Sequence, residues 1–341
     1  MRACSKRLHH YYPIMIRDFS SQSLQVSPCL CINKSLSFSS DTSSSSSSTP
    51  PVPPNDSATL IQGPSLLVNT AVHRPSPSLF FLPGLRSLPF WTPPSNKSNS
   101  SSKRTSPIAY NDPTLIQIVS HLETNASAIK KEYMDTVMGM GNSIDPRSPS
   151  GISKPLEPDY DVNASGGEHA SESLHVGTWD WHSYLLNGKA QTRFEKRCPI
   201  TTQVIQNIKE HLFDENPFGF CFFSTLQGKS FIKPHSGPMN LRLRIHLPLI
   251  VPSDCKPDAY STKPMTKCGI RVGNQIREWE EGKAVVLDDS YQHEVWNETD
   301  SLRVLLLVDI WHPDISMEER TRIRNMFQFA HEQGWLGGTS S

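Results

Sequence analysis

Apolar and polar residues alternate strictly along the segment NLRLRIHLPLIV, which predicts a β-strand with two unlike faces. The apolar face comprises Leu241, Leu243, Ile245, Leu247 and Leu249, and the opposite face comprises Arg242, Arg244 and His246. Three cationic or titratable side chains in a row can bind an anion. They can also form the solvated outer face of a sheet, and the alternation taken alone favours that simpler interpretation.

Short β-rich runs, separated by turn residues, follow this strand: GIRVGN, KAVVLDD and RVLLLVDIW. This spacing is typical of a mainly β fold, and we predict a double-stranded β-helix (jelly roll) with flanking α-helices, whose interior can hold a ligand. His293 is expected in a turn just past KAVVLDD, and Arg303 early in the next strand. One antiparallel step of that length can bring a metal ligand and an anion-binding arginine to the same end of a barrel.

Helical patterns flank the β-rich part of the chain. Asp112 and Pro113 suit the start of a helix, and apolar residues at helical spacing follow them. An amphipathic helix is predicted over residues 202–212. Ser316 and Glu319 form a capping-box pair, which predicts where the last helix begins.

Composition divides the chain into four parts. Ser/Pro-rich runs such as SFSSDTSSSSSSTPPVPPNDS cannot build a core, so residues 1–110 are predicted to be a disordered leader. Residues 111–145 are predicted as the helical N-terminal part of the folded domain. Residues 146–173 return to Pro, Gly, Ser and Asp and are predicted to form a flexible insertion. Residues 174–341 are predicted to hold the jelly roll and a C-terminal helix.

The first residues carry four basic side chains before the first acid, Asp18, and then become rich in Ser. Two interpretations stay open: a transit peptide for a mitochondrion or plastid, or a plain disordered tail on a cytoplasmic protein. The seven cysteines are scattered without a CxxC pair, which argues against a structural zinc site. Cys255 and Cys268 flank a long loop, residues 253–268, and could pair in an oxidising compartment, but free buried thiols are the simpler expectation.

Charge and hydropathy limit the classes of partner that the chain is expected to bind. The formal net charge is zero, so no global basic field attracts nucleic acid or an anionic membrane. No run approaches the roughly 18 apolar residues that a membrane span needs. Partners must therefore be inferred from local sites.

Three segments together resemble one family. PHSGPMNLRLRIHLPL, EWEEGKAVVLDDSYQHEVWN and VDIWHP look like the aspartyl/asparaginyl β-hydroxylase family of iron and 2-oxoglutarate-dependent oxygenases. The match runs with gaps over about residues 175–313. It implies Fe(II) as the metal, with 2-oxoglutarate and O2 as cosubstrates.

The resemblance also assigns roles to residues. It implies that His235 and His293 bind Fe(II) and that Arg303 pairs with the distal carboxylate of 2-oxoglutarate, a task that suits a planar guanidinium. Further cosubstrate contacts are implied at Trp179, Ser224, Arg244 and His246, and a contact to an acidic substrate at Arg242. From spacing alone, either His235 or His246 could be the first metal ligand.

Gly237 stands where most related oxygenases carry a carboxylate two residues after the first histidine. Members of the family it resembles also lack that acid, so its absence does not imply an inactive site. The absence does imply weaker metal binding. Asp288 and Asp289 are interpreted as turn-forming residues and not as a substitute ligand. His312 is expected to satisfy a hydrogen bond at the end of a buried strand.

The resemblance implies hydroxylation of an unactivated C–H bond, with an Asp or Asn side chain of a protein or peptide as the first substrate hypothesis. Leu174 stands where animal members of the family that act on aspartate carry an arginine, so a lipid or small-molecule substrate stays open. The rival class is a non-catalytic jelly-roll binding module. A zinc-dependent or cupin-like enzyme is disfavoured because two histidines are too few ligands.

Overall fold

The computed structural model of the chain describes residues 74–92, 112–141, 154–159, 174–254 and 266–335. Its helices are α1 (Pro113–Thr136), α2 (Thr192–Arg197), α3 (Pro199–Gln206) and α4 (Met317–Glu332), with a 3-10 turn at Lys209–His211. Its strands are β1 (His175–Val176), β2 (Trp179–Leu186), β3 (Lys189–Ala190), β4 (Cys221–Leu226), β5 (Ser230–His235), β6 (Arg242–Ile250), β7 (Cys268–Val272), β8 (Gln275–Arg277), β9 (Val285–Leu287), β10 (His293–Asn297) and β11 (Arg303–Trp311).

The strands form two antiparallel sheets. One has the order β1-β5-β10-β7-β8 and the other the order β3-β2-β4-β11-β6-β9. Apart from the hairpins β2-β3 and β7-β8, neighbouring strands are not consecutive in the sequence, as expected where strands cross between the two layers of a jelly roll. The predicted mainly β fold with flanking helices is confirmed.

Strand β6 shows why the alternation in the sequence matters. Leu243, Ile245, Leu247 and Leu249 are almost fully buried and pack with Leu122 and Ile129 of α1. The opposite face is also withdrawn from solvent, since Arg242 is 0% exposed and His246 is 5% exposed. A buried row of this kind excludes the solvated outer face and places the polar residues inside the barrel.

The helix ends follow the predicted chemistry. The Asp112 carboxylate accepts a hydrogen bond from the Leu115 N–H at 3.0 Å, so α1 is capped as expected. The capping box of Ser316 and Glu319 is confirmed at the start of α4. The helix predicted over residues 202–212 is displaced, because α3 begins at Pro199 and ends at Gln206.

The prediction of a disordered leader through residue 110 is wrong for residues 74–92, here called the N-terminal segment. Trp91 and Phe90 are buried, and the Trp91 N–H donates to the Val286 carbonyl at 2.8 Å. Composition misled here because a few aromatic residues within a Pro/Ser-rich stretch can fill gaps on an existing core. Residues 1–73 and 93–111 lie outside the described residues.

The predicted insertion over residues 146–173 also contains an attached part. Leu156 is buried, and the Asp159 carboxylate accepts a hydrogen bond from the Ser183 N–H on β2. The remainder of that prediction falls outside the described residues. Cys198 and Cys221 are free and buried, as expected; Cys268 is also buried, and Cys255 is not described. Within the described residues, no helix combines the length and the apolar character that crossing a bilayer requires.

Candidate active site

The two histidines proposed as metal ligands are cross-strand partners. His235 ends β5 and His293 begins β10, and the antiparallel register pairs them directly. Their ring centroids lie 4.0 Å apart. His293 is therefore the first residue of a strand and not part of a turn, which corrects its predicted placement. The pairing explains how residues 58 positions apart come to one point.

Each imidazole is held by the same local hydrogen bond. His235 Nδ1 donates to the Lys233 carbonyl at 2.7 Å, and His293 Nδ1 donates to the Tyr291 carbonyl at 2.9 Å. A proton fixed on Nδ1 leaves the lone pair on Nε2, the nitrogen that then binds a metal. Burial lowers the pKa of both rings, well below the usual value for His235. The pair is thus kept neutral, as metal ligation requires.

Gly237 explains why the usual carboxylate is missing from this site. A Cβ built on Gly237 would lie 2.7 Å from the Asp289 carboxyl group. Among the described residues, no group of three His, Cys, Asp or Glu side chains is arranged to hold a metal. The residues present fit a metal bound by two imidazoles, with the space beside them taken by Asp289.

Introducing a carboxylate at position 237 is expected to weaken metal binding and to destabilise the fold. In Gly237→Asp, a second acid would collide with the Asp289 carboxylate and repel it, so we expect weaker Fe(II) binding and a lower Tm. Gly237→Ala is the matched control, since it carries the steric part of the change without the charge. Fe(II) titration monitored through the 2-oxoglutarate charge-transfer band would measure the effect. Tighter Fe(II) binding by Gly237→Asp would contradict it.

Asp289 and Asp309 neutralise the arginine row of β6. Arg242 contacts Asp289 at 2.6 Å and Asp309 at 2.8 Å, and Arg244 contacts Asp309 at 2.8 Å. Burial alone would raise the pKa of Asp289, but the charges of Arg242 and Arg244 outweigh it and hold that pKa well below its usual range. Asp289 is thus an ion-pair partner as well as a turn residue.

Arg242 is predicted to contact an acidic substrate, but its guanidinium is already paired within the protein. Its guanidinium is fully buried between the two carboxylates and also donates to the Phe218 carbonyl. A direct contact to an acidic substrate remains a prediction, and it would require a rearrangement of these ion pairs.

Arg303 is the contrasting arginine. It is 1% exposed, and no carboxylate lies within ion-pair distance among the described residues. Its Nη1 contacts Ser224 Oγ at 3.3 Å, and Ser224 Oγ accepts a hydrogen bond from Trp179 Nε1 at 2.9 Å. Burial lowers the pKa of Arg303 to about 10. A buried cation of this kind requires an anion.

Arg303 belongs to a cluster of side chains that have buried nitrogens without hydrogen-bond partners among the described residues. In the part of the chain that is described, Arg303 Nε, His246 Nδ1 and Trp279 Nε1 are buried and make no hydrogen bond. Trp279 lies under the Arg303 guanidinium, 5.0 Å from ring centroid to Cζ, and its ring centroid is 6.2 Å from that of His246. Burial lowers the pKa of His246 well below its usual value, and the charges of Arg303 and Arg244 add to this effect. The cluster offers donors for a carboxylate ligand.

Asp288 gives a prediction about pH. Burial raises its pKa to about 7, although Ser290 donates two hydrogen bonds to it. A carboxyl with a raised pKa stabilises the fold fully below its unfolded pKa of about 4, and that contribution is lost as pH rises through about 7. The Tm of Asp288→Asn relative to that of wild type should therefore be higher at pH 8 than at pH 4. An equal difference at both pH values would contradict this assignment.

The sequence pattern missed three contributors to this site. Asp309 had a signal, since one acid interrupts the apolar run RVLLLVDIW, and a buried acid needs a partner. Trp279 gave no signal in its loop. The contacts of the N-terminal segment could not be found because its composition resembles disorder. His312 satisfies a hydrogen bond as expected, and its partner is the Arg86 carbonyl of that segment.

Comparisons with known proteins agree on one family. The family model described as aspartyl/asparaginyl beta-hydroxylase matches residues 123–313. The mouse aspartyl/asparaginyl beta-hydroxylase is 27% identical over 248 residues, which cover 71% of this chain and 26% of that protein. The ornithine lipid ester-linked acyl 2-hydroxylase of Rhizobium tropici is 38% identical over 136 residues, which cover 39% of this chain and 42% of that protein.

Solved structures resemble the chain only in part. A prolyl hydroxylase from Trichoplax adhaerens superposes with a TM-score of 0.30 at 12% identity, covering 65% of this chain and 97% of that one. These superpositions add nothing to the sequence matches. This chain spans about a quarter of the length of the mouse relative.

Proposed function

The chain belongs to the aspartyl/asparaginyl β-hydroxylase family, and from that premise we propose that it is an Fe(II)- and 2-oxoglutarate-dependent dioxygenase that hydroxylates an unactivated C–H bond. Its first substrate class is an Asp or Asn side chain of a protein or peptide. His235 and His293 are the proposed metal ligands. Arg303, Ser224, Trp179, Arg244 and His246 are the proposed cosubstrate contacts.

This proposal rests on the buried guanidinium of Arg303, which has no carboxylate partner among the described residues. The other two interior arginines, Arg242 and Arg244, are each neutralised by aspartates. Their ion pairs are complete within the protein and need no ligand. At Arg303 the described chain provides no carboxylate. A dicarboxylate cosubstrate supplies the missing charge and can accept from the unsatisfied nitrogens of His246 and Trp279.

The protein groups have separable tasks. When bound, the Fe(II) and 2-oxoglutarate pair supplies oxidation of a C–H bond by O2, coupled to decarboxylation of the cosubstrate to succinate. His235 and His293 present Nε2 to the metal because their Nδ1 protons are held by backbone carbonyls. Arg303 orients the cosubstrate from its far end. The apolar residues around Trp179 and Leu305 limit access of water.

A lipid acyl chain is the second candidate substrate, favoured by two observations. Identity to the Rhizobium acyl 2-hydroxylase reaches 38%, compared with 27% to the mouse protein, although over a shorter stretch. In addition, Arg242 is already paired with two aspartates, which weakens the case for an acidic side chain as its partner. The non-catalytic binding module predicts loss of a ligand residue, and His235, His293 and Arg303 are all present.

The test begins without substrate. Full-length protein is mixed with Fe(II) and 2-oxoglutarate under argon, the metal-to-ligand absorption band is recorded, and O2 is then admitted while succinate is measured. We expect a band and succinate from wild type, and neither from His293→Ala. His331→Ala, which changes an exposed histidine on α4, is the matched control and should behave as wild type.

Substrate class is tested next by coupling. Asp- and Asn-containing peptides and acyl lipids are supplied separately, and hydroxylated product is compared with succinate formed. A ratio close to one with either class identifies the substrate. A wild-type protein that neither shows the band nor forms succinate would contradict the oxygenase and favour the binding module.

A further inference from the structure

The N-terminal segment reaches the loop that follows His235 and the turn that precedes His293. Its first part, residues 75–80, is here called the strap. It lies before residue 123, where the family match begins. Nothing in the proposed chemistry uses it, yet it runs beside the two segments that adjoin the proposed metal ligands.

The first attachment is to the loop that follows His235. The Ser78 N–H donates to the Gly237 carbonyl at 3.1 Å. The Leu79 and Phe80 N–H groups both donate to the Pro238 carbonyl, at 3.0 and 2.8 Å. Main-chain contacts to residues two and three positions beyond a ligand restrict where that ligand can lie.

The second attachment is to the turn that precedes His293. The Ser76 N–H donates to the Ser290 carbonyl at 2.8 Å, and Pro75 forms a bridge with Tyr291. The Tyr291 carbonyl is the acceptor that fixes His293 Nδ1. The strap therefore contacts the residue that sets the tautomer of one histidine.

The two loops are also joined to each other. The Gly237 N–H donates to the Asp289 carbonyl at 2.7 Å, and Ser76 Oγ lies 3.2 Å from Ser236 Oγ. The strap, the His235 loop and the His293 turn thus form one hydrogen-bonded layer. His235 and His293 are the proposed metal ligands, and the distance between them depends on this layer.

We propose that the strap is a positioning element that holds the two histidine loops in register for metal binding. This inference rests on the proposed function. Partners in the outer shell of a metal site typically change its affinity by roughly 10–100-fold. If the N-terminal region is removed by proteolytic cleavage, the cleavage site must lie before Pro75 for the strap to be kept.

The main test removes two donors from the strap in the full chain. Ser76→Pro combined with Ser78→Pro deletes the N–H groups that bond to Ser290 and Gly237, in a stretch that already holds Pro75 and Pro77. We expect Fe(II) affinity, measured through the 2-oxoglutarate band under argon, to fall about tenfold or more. Arg86→Ala is the matched control, because it removes an anchor to Asp314 that involves neither histidine loop.

The outcomes separate positioning from general stability. Weaker Fe(II) binding in the proline variant alone supports the proposal. Wild-type affinity in that variant, or an equal loss in Arg86→Ala, overturns it. If the wild type itself shows no band, the proposed function fails. The strap is then judged by amide exchange of the metal-free proteins, where faster exchange at residues 235–240 and 288–293 in the proline variant supports it and unchanged exchange overturns it.

A reversible cross-link covers the case in which the proline variant does not fold. Ser76→Cys with Ser236→Cys places two thiols across the 3.2 Å contact between the strap and the His235 loop. We expect the oxidised protein to bind Fe(II) with at least wild-type affinity. Loss of binding on oxidation, restored by reductant, would show that the strap has to leave, and would overturn a positioning role.

Discussion

Arg303→Met should greatly weaken 2-oxoglutarate binding without lowering the stability of the fold. A bidentate, charge-assisted contact contributes about 3 kcal/mol or more, so we expect affinity to fall at least ~100-fold. The apo protein should keep its Tm or gain, because methionine replaces a buried cation that has no carboxylate partner in the described structure. The lost contacts to Trp279 and Ser224 offset part of that gain.

The experiment needs two readouts and one control. Affinity comes from titrating 2-oxoglutarate into Fe(II)-loaded protein, and stability comes from thermal unfolding without ligand. Arg271→Met is the control: it removes a partly exposed arginine of β7 that pairs with Glu294 at 2.5 Å, and it should leave cosubstrate affinity unchanged. Unchanged affinity in Arg303→Met, together with a large fall in Tm, would show a structural role and not an anion site.

Asp309→Ala should strongly destabilise the barrel. It removes a fully buried carboxylate that serves both Arg242 and Arg244, and it leaves their charges undercompensated. Breaking a buried ion pair from one side costs about 3–5 kcal/mol in the free energy of unfolding. Urea unfolding of wild type and variant would measure this difference.

A surface pair provides the comparison. Asp135→Ala deletes the Lys131–Asp135 contact on α1, an i,i+4 pair with Lys131 mostly exposed. Such pairs contribute about 0.3–0.5 kcal/mol. If the two variants lose similar stability, the four-charge network of Arg242, Arg244, Asp289 and Asp309 does not act as a buried unit.

Much of the site could be predicted from sequence because local pattern encodes it. Period-two alternation placed Arg244 and His246 on one face of β6, and the structure keeps them on that face. The capping box at Ser316 and the N-cap at Asp112 were predicted because each depends on residues at most three positions apart. Only the resemblance to a family separated His235 from His246 as the first metal ligand.

The sequence could not predict which of the interior arginines has a carboxylate partner. Arg242, Arg244 and Arg303 are identical residues in strand-like runs, and nothing near them in sequence distinguishes a paired guanidinium from an unpaired one. The partner Asp309 lies 65 positions from Arg244 and meets it through the pairing of β6 with β11. Electrostatic role depends on such distant neighbours.

The sequence by itself determined the strand pattern, the helix caps and the set of residues available for metal and anion chemistry, because each follows from side chains a few positions apart. Only the tertiary structure decided which of them meet. It brought His235 beside His293, filled the space beyond Gly237 with Asp289, gave Arg303 no carboxylate partner among the described residues, and laid the strap across the His235 loop and the His293 turn. Those outcomes depend on strand register and on close packing, which act between residues far apart along the chain.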